Sequence, residues 1–146
     1  MSVLFFWKWD NYSIDISESK AFNLNQDNEL MLKLKSGEHI WAFTRRPDKT
    51  YVLAADLIVI QTQHNPPGHK YGRYRASADP QSSRYFDIHV GPDAEVKIKS
   101  LSFYGEKKRK VKALGQMFQG RNGVRLLTTG DERELIAFSS GLPTLP

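Results

Sequence analysis

The chain has 146 residues, no cysteine and a formal net charge of +5. This length predicts one domain over residues 1–146, and the missing cysteines exclude disulfides and thiolate metal sites. No apolar run approaches the roughly 18 residues of a membrane span, and the first residues lack the charged start and small-residue cleavage site of a signal peptide. We therefore expect a cytoplasmic protein without a membrane partner.

The positive charge is concentrated in the middle of the chain. Residues 45–125 hold 16 Lys and Arg against 7 Asp and Glu, so the two ends together are acidic. A basic excess of this kind is typical of proteins that bind a polyanion, nucleic acid first. The alternative is a basic surface that is simply solvated.

Five segments have the alternating or apolar composition of β-strands. In chain order they are residues 2–9, 37–46, 50–63, 83–90 and 95–103. Within the first strand, Trp7 and Trp9 would point to the same face, because successive strand side chains alternate. A short Pro-Asp-Lys turn joins the second and third strands and predicts a hairpin. Its longer strand is expected to lie centrally, where the carboxylate of Asp56 is unexpected.

The remaining segments predict loops and helices. Residues 10–27, rich in Ser, Asn and Asp, predict a loop with room for one helical turn, whereas residues 29–35 fit a short helix or a strand equally. Two consecutive prolines make residues 64–74 an irregular loop. Helices are predicted at residues 107–118 and at residues 128–141, the second with acidic side chains in its first turn. The expected fold is α+β, with a curved, mostly antiparallel five- to six-stranded sheet or small barrel and flanking helices.

Aromatic side chains alternate with basic ones in "KYGRYR", where Lys70, Arg73 and Arg75 surround Tyr71 and Tyr74. A single aromatic ring more often fills a core, because each ring buries a large area. As a group, rings can stack on bases, at about 1 to 3 kcal/mol per base, while cations hold the backbone outside. This pattern favours a single-stranded or flipped base as the ligand.

The basic segment "EKKRKVK" at residues 106–112 has too many cations for Glu106 to pair, so it is a solvated face or a set of phosphate contacts. Arg121 and Arg125 follow closely and favour phosphate contacts. The phosphate-binding residues that the sequence predicts are Arg45, Arg46, His64, His69, Lys70, Arg73, Arg75, Arg84, Lys107, Lys108, Arg109, Lys110 and Lys112.

The sequence predicts no metal site, no cofactor and no catalytic residue. Its four histidines match no zinc spacing. Residues 92–97, "PDAEVK", partly match the Pro-Asp and Glu-x-Lys elements of metal-dependent nucleases, yet Asp93 and Glu95 lie only two residues apart, which suits an ordinary turn. A small metal-dependent nuclease remains an alternative, with Asp87, Asp93, Glu95 and Lys97 as its site.

The order of these pieces resembles the PUA-like superfamily, and within it the EVE branch, which is related to YTH domains. In EVE domains a Gly-Asp turn precedes the second strand, an apolar third strand follows, and an Asp-Pro segment precedes a Tyr-x-Asp element. The matching positions here are Gly37-Glu38, residues 52–59, Asp79-Pro80 and Tyr85-Phe86-Asp87. Glu38 stands where the family usually has Asp, and "LAAD" at residues 53–56 lacks the common glycine.

The resemblance implies a pocket that holds a modified base outside the duplex, in an aromatic cage. Carried over to this chain, the cage would use Trp7 or Trp9, Trp41 or Phe43, and Tyr85, and Asp87 or Asn11 would contact the polar edge of the base. We therefore expect a DNA- or RNA-binding reader without enzymatic activity, associated with a restriction or RNA-modification-related system. A basic protein-interaction module is a further alternative, and the oligomeric state is open.

Overall fold

A curled sheet of mixed strands forms the centre of the protein, which a computed structural model describes over residues 1–18, 23–105, 114–118 and 123–145. The described strands are β1 Ser2–Phe6, β2 Asn23–Gln26, β3 His39–Arg45, β4 Tyr51–His64, β5 Tyr74–Ala78, β6 Arg84–Tyr85 and β7 Val124–Leu127. The described helices are α1 Trp9–Ser17, α2 Leu30–Lys33, α3 Glu95–Lys99 and α4 Thr129–Ser139, with 3₁₀ turns at Ser102–Tyr104 and Leu114–Phe118.

The strand order is β2-β5-β4-β3-β1-β7, and β6 pairs with β4 beside this path. β1 runs parallel to β3, and the other pairs are antiparallel. The sheet curls far enough that a Cβ added to Gly123, just before β7, would lie 2.6 Å from Nε2 of Gln26 in β2. The predicted curved α+β sheet with flanking helices is thus confirmed in outline, with seven described strands and one parallel pair.

The β3–β4 hairpin is confirmed, and both of its faces are covered. One face carries a cluster of buried side chains that includes Trp7, Ile40 and Leu57. The other face carries a second cluster, which includes Trp41 and Phe43. Burial on both faces explains the nearly continuous apolar sequence of these strands.

The predicted first strand is wrong at its end, because β1 stops at Phe6 and Trp9 begins α1. Residues 10–27, predicted as a loop with room for one helical turn, contain most of the longer helix α1 and all of β2. Tyr12 and Ile16 lie one helical turn apart and both pack against the first cluster. Because the residues between them are mostly polar, the helical spacing is not recognisable in the sequence.

The strand predicted at residues 95–103 is also wrong, since α3 begins there. Val96 and Ile98 would share a face in a strand, but Val96 is 83% exposed while Ile98 is fully buried, as a helix requires. Asp93 Oδ1 accepts a hydrogen bond from Glu95 N at 2.8 Å, which supports the start of the helix. The predicted strand at residues 83–90 shrinks to Arg84–Tyr85.

The C-terminal helix is confirmed as α4, which begins with a reciprocal capping box between Thr128 and Asp131. Residues 29–35, which fitted a short helix or a strand equally, contain the short helix α2. The predicted basic helix at residues 107–118 lies largely outside the described residues, and its described end is a 3₁₀ turn. Within the described ranges, no helix has both the length and the apolar character that crossing a membrane demands.

Candidate functional site

A cleft of about 720 Å³ lies between α1 and β2. The end of β1 forms the floor of the cleft, and one face of α1 forms one wall. The opposite wall is formed by β2 and the loop at residues 65–73. Ligand pockets of about 300 to 1,000 Å³ are usual for small molecules, so this cleft has room for a nucleotide.

Trp7 belongs to the core and to the floor of the cleft at once. It is only 2% exposed, and its ring meets the ring of Tyr12 edge to face at 5.1 Å. Its Nε1 donates a hydrogen bond to Oδ2 of Asp15 at 3.0 Å, which ties the floor to α1. At this exposure the indole offers a ligand very little surface.

Apart from Ile14, the α1 residues that line the cleft are polar. Asn11, Asp15 and Glu18 line the cleft from successive turns of the helix, and Lys8 lies just before it. Amide and carboxylate groups supply hydrogen-bond acceptors that suit the amino groups of nucleobases. This wall can therefore test the polar edge of a bound ring.

The loop at residues 65–73 is fixed to β2 by close contacts. Nδ2 of the buried Asn65 donates to Gly72 O at 2.8 Å and to Asn25 Oδ1 at 3.0 Å. A Cβ at Gly72 would lie 2.7 Å from the carbonyl carbon of Gln26, and the φ of Gly72 is +133°, so only glycine fits there. These contacts with β2 fix the position of the loop in the wall of the cleft.

This loop brings an exposed aromatic ring and cationic groups to the rim. Tyr71 is 63% exposed and lines the cleft, with Lys70 Nζ 5.4 Å from the centre of its ring. Arg75 donates from Nε to Asn25 Oδ1 at 3.1 Å, and its Nη2 lies 3.4 Å from His69 Nε2. A ring that is open to solvent and an oriented guanidinium are what stacking and phosphate binding require.

The predicted base cage is not assembled as one pocket. Trp7 and Asn11 line the cleft, while Trp9 is half-buried with its ring 5.8 Å from that of Tyr12. Trp41 and Phe43 are fully buried in the second cluster, on the other side of the sheet. Strand alternation places Trp41 and Phe43 on the same face of β3, and this face is covered.

Tyr85 and Asp87 lie away from the cleft. Burial raises the pKa of the half-buried Tyr85 hydroxyl, whose side chain packs against the first cluster. Asp87 Oδ1 accepts a hydrogen bond from His89 N at 3.0 Å. Asp87 also lies near Tyr12. Burial raises the pKa of the Tyr12 hydroxyl to about 12, and the negative charge of Asp87 adds to this rise.

The predicted phosphate-binding residues divide among several places. His69 and Arg75 line the cleft, and Lys70 and Arg73 flank it in the same segment. His64 lies at the end of β4, with its ring 5.4 Å from that of Tyr74. Lys107, Lys108, Arg109, Lys110 and Lys112 lie outside the described residues.

Three predicted arginines have structural partners away from the cleft. Arg46 Nη1 donates to Ile88 O at 2.9 Å, beside the β3–β4 turn. Arg45 lies over the ring of Tyr51 at 5.3 Å. Arg84 Nη2 donates to Oδ2 of the buried Asp56 at 3.1 Å.

The carboxylates of the nuclease alternative have local partners. Glu95 Oε2 lies 3.5 Å from Lys99 Nζ, and Lys97 Nζ donates to Glu134 Oε2 at 2.7 Å. Asp93 Oδ1 accepts from Glu95 N at 2.8 Å. Among the residues that the structure describes, no group of three His, Asp or Glu side chains could hold a metal ion.

Sequence reasoning missed Tyr71, Asn25 and Asp15 as cleft residues. The "KYGRYR" pattern pointed to Tyr71 as part of a group but did not separate it from the buried rings. Asn25 and Asp15 lie in the segment predicted as a loop, so no strand or helix face could be assigned to them.

Fold and cleft together define an α+β protein with a curled mixed sheet and a nucleotide-sized cleft between α1 and β2. No protein-family model matches the chain, and no curated protein matches it.

Proposed function

We propose that this protein is a nucleic-acid-binding module of the PUA-like class, closest to the EVE branch, which takes a single-stranded or flipped base into the cleft beside α1. The observation that carries the proposal is the exposed ring of Tyr71, which stands beside Lys70, His69 and Arg75 at the rim of a cleft of about 720 Å³.

In this proposal Tyr71 stacks on the base. A base stacked on an aromatic ring gains about 1 to 3 kcal/mol, and neighbouring cations add to this gain. Arg75 is oriented by Asn25, so its guanidinium is positioned before a phosphate arrives. Lys70 supplies a further phosphate contact at the rim. The phosphate contacts that the sequence predicts at residues 107–112 lie outside the described residues.

The polar edge of the base faces the α1 wall. Asn11 offers both a donor and an acceptor, and Asp15 and Glu18 add carboxylate oxygens. The cleft lining carries both signs of charge, which suits a ligand with amino groups at one end and a phosphate at the other. This arrangement replaces the cage expected from Trp41 and Phe43, whose rings lie in the core.

The resemblance to EVE domains supports a base as the ligand, and a modified base is its more specific form. The aromatic first strand, the Gly-Glu turn and the apolar hairpin strands carry that resemblance. A place in a restriction or RNA-modification-related system is part of the same proposal.

Fluorescence anisotropy with short single-stranded DNA and RNA, with and without modified bases, tests the proposal at two salt concentrations. We expect binding that weakens with salt. Tyr71→Ala should weaken it about 5- to 150-fold, the equivalent of one lost stacking contact. Tyr71→Phe keeps the ring and is the matched control.

Arg75→Gln should weaken binding to all sequences and lower the salt slope by about 1, as one lost phosphate contact does. Absence of binding at low salt contradicts the proposal. Weak binding that is indifferent to base identity and unaffected by Tyr71→Ala also contradicts it, and favours a basic protein-interaction surface.

A further inference from the structure

Asp56 is a buried carboxylate on the central strand β4 that does not line the cleft, and both of its oxygens accept hydrogen bonds. Oδ1 accepts from Nδ1 of His39 at 2.6 Å, and Oδ2 accepts from Nη2 of Arg84 at 3.1 Å. Its side chain is 6% exposed, whereas those of His39 and Arg84 are 31% and 42% exposed. One buried anion thus holds two partly exposed cationic groups side by side.

The two cationic groups are oriented by further contacts. The His39 ring stacks on Trp41 with an angle of 13° between the planes, and Arg84 lies 5.2 Å from the centre of the Phe86 ring. Arg84 Nη2 also donates to Ser139 Oγ at 3.3 Å, which links it to α4. Both groups are therefore fixed on the sheet face that meets α4.

Donors remain available on this face. Both side-chain hydrogen bonds of Arg84 use Nη2, so within the described residues its Nη1 and Nε have no acceptor. The only hydrogen bond of the His39 ring to a described residue uses Nδ1, which leaves Nε2. In the same part of the chain, the buried Nε1 of Trp41 has no partner either.

We propose that the His39–Asp56–Arg84 cluster is a binding site for a phosphate group, which His39 Nε2 and Arg84 Nη1 contact from the solvent side. This site is separate from the cleft and does not depend on the proposed function. Arginine and protonated histidine both donate charge-assisted hydrogen bonds to phosphate oxygens. With His39 protonated, the three residues of the cluster carry a net charge of +1, and the nearby carboxylate of Glu132 on α4 reduces their attraction for a phosphate.

Binding should be linked to a proton. The charged groups around His39 are Asp56 on β4, Arg84 on β6 and Glu132 on α4. The hydrogen bond that the His39 ring donates to Asp56 raises the pKa of His39, and burial opposes this rise. Phosphate affinity should therefore be higher below this pKa and fall as the ring loses its proton.

NMR of the imidazole nitrogens tests the site directly in the full chain, with His39→Gln used only to assign the signals. Inorganic phosphate is titrated against chloride at constant ionic strength, at about pH 6 and about pH 8.5, which bracket the ordinary titration range of histidine. We expect saturable shifts of the His39 signals with phosphate alone, and tighter binding at the lower pH, where the ring is protonated.

Variants and a second ligand complete the experiment. Arg84→Gln should abolish the saturable shifts, and Arg133→Gln, which removes an exposed charge on α4, should leave them. A 5′-phosphorylated trinucleotide that binds more tightly than its unphosphorylated form identifies a polynucleotide end as the source of the phosphate; equal shifts with inorganic phosphate identify the free ion. Shifts of His39 that are the same with chloride, or that survive Arg84→Gln, overturn the proposal.

Discussion

The indole Nε1 of Trp7 donates a hydrogen bond to Oδ2 of Asp15 over 3.0 Å, and this bond joins the end of β1 to α1. The same two residues line the cleft, so one contact positions its floor and its polar wall. We therefore expect that loss of this contact would lower both the stability of the fold and the affinity for a ligand in the cleft.

Replacing Trp7 by Phe tests its structural part. The smaller ring leaves space in the core and removes the donor to Asp15, so we expect a loss of about 2 kcal/mol in the free energy of unfolding. Urea denaturation measures this loss. Trp9→Phe, at a half-buried position, is the control and should reduce the free energy of unfolding by less. An equal or larger loss in Trp9→Phe would contradict the assignment of Trp7 as the tryptophan that stabilises the fold.

Gly72 should be intolerant of any side chain. Alanine there combines a φ of +133° with a Cβ only 2.7 Å from the carbonyl carbon of Gln26, so we expect a loss of about 1 to 3 kcal/mol and weaker oligonucleotide binding as the loop moves. Gly68→Ala is the matched control, because Gly68 also has a positive φ but no atom within 4 Å of the added Cβ. Equal losses of stability in the two variants would show that contact with β2 does not fix the loop.

The sequence predicts the β3–β4 hairpin and α4 well because their signals are local and strong. β3 and β4 are long apolar runs joined by a proline turn, and α4 begins at a capping residue. β2, β5 and β7 are short, and their pairing is set by distant partners, so no local pattern identifies them.

The candidate site was predicted only in part for a related reason. Within "KYGRYR", Tyr71 and Arg75 line the cleft, and so does His69 just before it. The sequence does not show which aromatic rings are covered. Trp41 became core because α4 and residues 114–118 pack on its face of the sheet, and that contact is long-range.

Thr128 should contribute to stability through the N-cap of α4. Its side chain accepts from Asp131 N at 3.0 Å, and Asp131 Oδ2 accepts from Thr128 N at 3.0 Å. Thr128→Ala should cost about 1 kcal/mol in urea denaturation, the usual effect of a lost cap. Thr129→Ala, one residue into the helix, is the control and should change stability by less than about 0.5 kcal/mol. The same loss in both variants would exclude a specific capping effect.

The hydrogen bond between His39 and Asp56 should make stability depend on pH. Because the folded state raises the pKa of His39, the bond adds stability that is fully present below the ordinary histidine pKa of about 6.5 and is lost as the pH rises through the folded value. Urea midpoints from about pH 5 to about pH 9 should therefore show a fall over this range, and His39→Gln should flatten it. His89→Gln removes an exposed histidine and is the matched control, which should keep the wild-type profile. If His39→Gln retains the fall while His89→Gln removes it, the titrating group is not the ring that contacts Asp56.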